Sequence, residues 1–176
     1  MTTGGLEAVR ALIRDVPDFP KPGILFKDIT PLIRDPEGLK ATLDLLAEPF
    51  RDRGATAVAG MESRGFVFGV PVAERLGVGF VPIRKPGKLP AETVREEYEL
   101  EYGTDALEMH ADAVGEGDRV LVVDDLLATG GTAEATVRMI RRAGAEVIGA
   151  SFVIELEFLK GRGRLADVDV RALIAF

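Results

Sequence analysis

Residues 121–132, Leu-Val-Val-Asp-Asp-Leu-Leu-Ala-Thr-Gly-Gly-Thr, constrain the fold more than any other stretch of the chain. The apolar run that leads in is β-branched and uninterrupted, which predicts a central parallel strand covered on both faces. It ends in two adjacent carboxylates, Asp124 and Asp125, and passes through Ala128, Thr129, Gly130, Gly131 and Thr132 into a helix. Open α/β sheets place their ligands at the carboxyl ends of such strands. The turn has almost no side-chain bulk, so its backbone N–H groups can close on a phosphate with the positive end of the following helix behind them. A Walker loop needs Lys followed by Ser or Thr after its last glycine, and a dinucleotide loop needs G-x-G-x-x-G before the helix. Neither pattern occurs in 121–132. Two carboxylates repel an anion unless they face hydroxyls or a metal, and sugar hydroxyls meet that condition. The plainer alternative is a strand ending in a solvated Asp-Asp turn.

The rest of the chain alternates in a way that suits an α/β fold. Apolar residues at helical spacing predict a helix over 6–16, and Pro17-Asp18-Phe19-Pro20-Lys21-Pro22-Gly23 then forces an extended, turned segment. Asp35-Pro36-Glu37 reads as an N-cap followed by proline at the first helical position, with Leu39, Leu43 and Leu46 as a core stripe. Strands are predicted at 55–60 and 79–84 around a helix at 63–76. Residues 86–103 are bounded by proline and glycine, densely charged and poor in core residues, which predicts a long mobile hairpin or flap. Strands at 106–114 and 119–123, a helix at 131–143 ended by Gly144, and strands at 146–154 and 168–174 complete the pattern.

Net charge is −7, which argues against general nucleic-acid binding and looks wrong for a polyanionic substrate. Its distribution removes the conflict. Residues 91–112 carry eight acids and one base, Arg95, and so account for all of it. Residues 61–88 are basic, with Arg64, Arg75, Arg84, Lys85 and Lys88 against Glu62 and Glu74. Arg84, Lys85 and Lys88 sit at the root of the flap, where they can meet a diphosphate as it closes, and Arg64 opens a second strand-to-loop-to-helix turn, Gly60-Met61-Glu62-Ser63-Arg64-Gly65. With no cysteine, disulfides and thiolate chemistry are excluded, and the single histidine, His110, lies in an alternating run that suits a structural role. Apolar runs fall short of a membrane span and no signal-peptide pattern opens the chain, so a cytoplasmic protein is expected. The chain also has no Asn and no Gln, a composition associated with heat adaptation, though a GC-rich genome also produces it.

The 121–132 string resembles the phosphoribosyl-diphosphate (PRPP) signature of the type I phosphoribosyltransferases. That resemblance implies that Asp124 and Asp125 hold the ribose hydroxyls and that 128–132 hold the 5-phosphate. Segments 19–30, 62–66, 84–90 and 98–103 are similar to the adenine-using members of that family. The implied fold is α/β, one domain over 1–176. It has a central mostly parallel sheet flanked by helices, an N-terminal hood at 1–34 and a flexible flap at 86–104. The resemblance further implies that Leu25 and Lys27 present backbone groups to adenine and Phe26 packs on its ring. It implies that Arg64 and Lys88 bind pyrophosphate, that Glu101 and Tyr102 descend over the base, and that a cis peptide joins Glu62 to Ser63. The implied reaction joins adenine to PRPP, giving AMP and pyrophosphate, with magnesium offsetting the diphosphate charge and Glu101, or else Asp125, carrying the purine proton. A homodimer is implied as well. A transferase for hypoxanthine, xanthine or orotate, and a non-catalytic PRPP sensor, stay open at this point.

Overall fold

A computed structural model of the chain describes residues 3–99 and 103–176. Its contacts cluster into two compact units, 1–45 and 46–176.

The first unit contains helix α1 (Thr3–Ala11), strands β1 (Arg14–Pro17) and β2 (Leu25–Asp28), and helices α2 (Thr30–Arg34) and the start of α3 (Pro36–Ala47). The first helix is shorter than its apolar spacing predicts: Val16 belongs to β1, which pairs antiparallel with β2. Val16 precedes proline, and a residue in that position is pushed out of the helical region. The predicted cap at α3 is present, with Asp35 Oδ1 accepting from the Gly38 N–H at 2.7 Å. In the hairpin, Arg14 Nε donates to Asp28 at 3.0 Å, and the Thr30 N–H donates to the same carboxylate at 2.9 Å. The Thr30 backbone bond, followed by the Arg14 bond, holds the Asp28 carboxyl down at about 2.

The second unit is built on a five-stranded sheet in the order β4-β3-β7-β8-β9, parallel throughout. The strands are β3 (Ala57–Met61), β4 (Gly79–Ile83), β7 (Arg119–Leu127), β8 (Glu146–Glu155) and β9 (Val170–Ala175). Helix α4 (Arg64–Leu76) connects β3 to β4, and α5 (Gly131–Arg142) connects β7 to β8. Every residue of β3 and all of Val120–Val123 are buried, as a strand between neighbours in a two-sided sheet requires. Strand β7 extends past its predicted end. Pairing with β3 stops at Val123, but pairing with β8 continues through Asp124, Leu126 and Leu127. The two acids therefore stand within the strand, at the point where its β3 side becomes open.

The predicted flap is an antiparallel hairpin, β5 (Thr93–Glu99) with β6 (Thr104–His110). An antiparallel bridge between Arg84 and Glu108 joins its root to the end of β4. The expectation that 86–103 is poor in core residues is corrected at Tyr98, which is 6% exposed and joins Leu107 and Met109 of β6 in the hydrophobic core beside Met61, Ile83 and Leu127. Charged residues alternate with these along the strands, so composition alone hid an amphipathic hairpin.

Candidate active site

The β3–α4 and β7–α5 loops face one another across a cleft of about 280 Å³. It is lined by Met61–Arg64 from the first loop, Asp124–Ala133 from the second, and Lys85, Tyr98 and Leu107 from the flap and its root. Of the candidate residues, Arg64, Lys85, Asp124, Asp125, Ala128, Thr129, Gly130, Gly131 and Thr132 converge here. Arg84 and Lys88 reach the cleft only through Glu62. Leu25, Phe26 and Lys27 lie in the other unit, where the Phe26 ring meets Phe19 edge-on at 5.1 Å and Lys27 Nζ pairs with Asp15 at 2.6 Å. Glu101 and Tyr102 lie outside the described residues.

The phosphate-sized end of the cleft is made of backbone. Gly130 adopts φ +83° as N-cap of α5, and no side chain caps that helix start, so its first amides remain directed at the cleft. The opposite wall brings charge close. Asp125 is buried and pairs with Arg64 Nε at 3.0 Å. Asp124 Oδ1 accepts the Asp125 N–H at 2.9 Å. A Cβ on Gly65 would stand 2.8 Å from that same Asp124 oxygen, so glycine is what allows α4 to start against the carboxylate. Burial, and then the neighbouring Asp125 charge, push the Asp124 carboxyl well up from the ordinary carboxylate range. Burial also raises Asp125, while the Arg64 guanidinium opposes the rise. Such acids suit hydrogen-bonding to neutral hydroxyls, which donate to a carboxylate and accept from a carboxylic acid.

Glu62 compensates two of the three flap-root cations. Its two oxygens take Arg84 Nε at 2.7 Å and Lys88 Nζ at 2.6 Å. Burial alone would raise the Glu62 carboxyl, but the Lys88 and Arg84 bonds outweigh it and hold it low. Lys85 pairs with Asp105 and donates to the Tyr98 hydroxyl at 3.1 Å. Burial weakens the Lys85 ammonium, yet Asp105 and Tyr98 more than restore it. The sequence alone assigns no role to Glu62 or Tyr98. The available signals were an acid embedded in a basic stretch and an aromatic alternating with charges. The Glu62–Ser63 peptide is cis, as the resemblance implies. His110 accepts from the Ala91 N–H at 3.5 Å at the hairpin's base, away from the cleft lining.

Among the described residues, no three His, Cys, Asp or Glu side chains group as metal ligands. No helix among them is long and apolar enough to cross a membrane.

Comparison with known proteins gives this geometry a family. The phosphoribosyl transferase domain matches residues 32–171. The adenine phosphoribosyltransferase of Thermobifida fusca is 58% identical over 173 residues, covering 98% of either chain. The crystal structure of the Rhodothermus marinus adenine phosphoribosyltransferase superposes with a TM-score of 0.94 at 54% identity, covering 99% of this chain and all of that one. The Saccharomyces cerevisiae enzyme, complexed with an imino-altritol bisphosphate and adenine, superposes at 0.92 with 40% identity, covering 98% and 100%.

Proposed function

This chain belongs to the adenine phosphoribosyltransferases of the phosphoribosyl transferase family, and from that premise we propose that it transfers the phosphoribosyl group of PRPP to adenine in purine salvage. The products are AMP and pyrophosphate. The observation that carries the reading is the single cleft in which two carboxylates face a bare amide loop at a helix start.

Asp124 and Asp125 hold the ribose hydroxyls, and the amides of 128–132 hold the 5-phosphate, whose charge the α5 dipole complements. Arg64, Lys85 and the Glu62-bound cations Arg84 and Lys88 receive the diphosphate. Leu25 and Lys27 present backbone groups to adenine, with Phe26 against its ring. Attack of adenine N9 on the anomeric carbon develops cationic character on the sugar while the diphosphate departs. The carboxylate side of the cleft favours the first change and its basic side the second. Glu101 takes the N9 proton, with Asp125 as the alternative carrier, and Tyr102 covers the base. Closure of 86–104 keeps water from the sugar carbon.

Magnesium fits this site as a partner of the substrate, held through PRPP oxygens and water beside the acidic pair, since this ion keeps several waters and binds substrate phosphates. When bound, it neutralises diphosphate charge. A cytoplasmic homodimer and heat adaptation belong to the same proposal. Incubation with PRPP, magnesium and each nucleobase separately is the direct test. AMP from adenine alone supports the assignment, and nucleotide from hypoxanthine, xanthine or orotate instead would overturn it.

A further inference from the structure

We propose that the turn at 160–165 is a brace that fixes the shape of the phosphate-binding loop, with Gly161 and Arg162 as positioning residues for the sugar phosphate. The inference rests on the reading of 128–132 as the phosphate loop and extends it to a segment outside that loop.

Gly161 lies against the back of the loop, backbone to backbone. A Cβ on Gly161 would stand 2.1 Å from the Ala128 carbonyl oxygen and 2.9 Å from the Gly130 nitrogen. The reciprocal Cβ on Gly130 would stand 2.5 Å from the Gly161 oxygen. Gly130 also needs glycine for its positive φ, but Gly161 does not occupy that region. Space, not conformation, excludes a side chain at Gly161. Because the opposing atoms are backbone, relief requires moving the loop whose amides face the cleft.

The turn is itself held at several points. Arg162 makes a two-pronged pair with Glu155, its Nε at 3.0 Å from one carboxylate oxygen and its second prong on the other, and donates to the Val170 carbonyl at 2.8 Å. Glu155 is buried at the last position of β8, the strand next to β7, and pairs in register with Leu127. Arg164 reaches Glu134 in the first turn of α5 at 2.9 Å, and Leu165 is buried in the core. The sheet end, the start of α5 and the core thus converge on one turn, and that turn abuts the loop.

The test compares Gly161→Ala, Arg162→Ala and Arg162→Lys with Gly163→Ala, whose Cβ would enter open space. Each folded variant is assayed for PRPP KM, adenine KM and equilibrium binding of ribose 5-phosphate. Gly161→Ala is expected to weaken PRPP and ribose 5-phosphate by about 10- to 100-fold with adenine KM held within about twofold. Arg162→Ala should give a smaller loss of the same kind, Arg162→Lys should recover part of it, and Gly163→Ala should match the parent. Parental PRPP and ribose 5-phosphate constants in a folded Gly161→Ala, or equal losses for both substrates, would overturn the brace. If Gly161→Ala does not fold, Arg162→Ala decides by the same readings. A parent protein that binds no ribose 5-phosphate would instead overturn the phosphate-loop reading and the brace with it.

Discussion

At the junction of β3 and α4, negative charge is handled by long side chains: Glu62 is wrapped by Arg84 and Lys88, and Arg64 reaches across to Asp125. At the junction of β7 and α5, beyond the two acids, the 128–132 turn offers mainly backbone, through small residues. Both junctions follow a buried parallel strand, and no side chain caps either helix start. The difference fits the two ends of one substrate. A terminal phosphate can stay docked on fixed amides, whereas a departing diphosphate suits side chains that can exchange partners. Glu62 already occupies the two cations, so a diphosphate taking its place replaces one anion by another rather than arriving at bare positive charge.

The largest effect should come from stiff backbone. Gly130→Ala meets both a positive φ and the Gly161 carbonyl, and should lower kcat/KM for PRPP by about 100-fold or more. Steady-state kinetics that show only a few-fold loss would contradict the backbone-cradle account. Lys88→Ala removes one charge-assisted contact and should weaken PRPP and pyrophosphate by about tenfold while leaving adenine nearly unchanged. Equal losses for adenine and pyrophosphate, measured by titration, would place Lys88 elsewhere.

Asp124→Asn sharpens the contrast by separating stability from binding. The folded protein raises the Asp124 carboxyl above its ordinary value of 3.8, so over the interval above 3.8 the folded state holds a proton that the unfolded chain releases. Its stability contribution is therefore complete below 3.8 and is lost as pH rises through the folded value. The Asn variant should melt a few degrees higher than the parent at neutral pH, the shift given by about 1 kcal/mol in a chain of this size, and should lose PRPP binding. Thermal melts across pH would refute this if the advantage grew on acidification.

The smallest effect concerns the flap. Arg138 and Arg142 on α5 grip Glu96 at 3.0 and 2.7 Å, and Arg138 also donates to the Glu97 carbonyl. These groups are partly exposed, so Arg138→Ala should change kcat by less than about threefold, and less again at high salt. A large, salt-independent change would mean that the flap depends on this pair for more than surface attraction.

Much of the sheet was legible because its strands are short apolar runs and its helices carry caps or glycine stops, as at Asp35 and Gly144. The paired acids and glycine turn were legible for the same reason: the chemistry is contiguous in sequence. What escaped was set by contact between distant segments. Strand β7 runs on to Leu127 because β8 continues to pair beyond the point where β3 ends. Tyr98 is buried because the hairpin folds onto α5 and β4, and Val16 extends because β2 is there to pair with it. Glu62 became the hub of the flap root only when Arg84 and Lys88, more than twenty residues away, were brought to it. Gly161 had no local mark, since nothing in its neighbours announces the loop it touches.

The central claim is tested most directly by a crystal of the protein soaked with AMP. The account predicts the 5-phosphate on the amides of 128–132 and the ribose hydroxyls on Asp124 and Asp125. A nucleotide bound with its phosphate on Arg64, Arg84 or Lys88, or outside the cleft altogether, would contradict it.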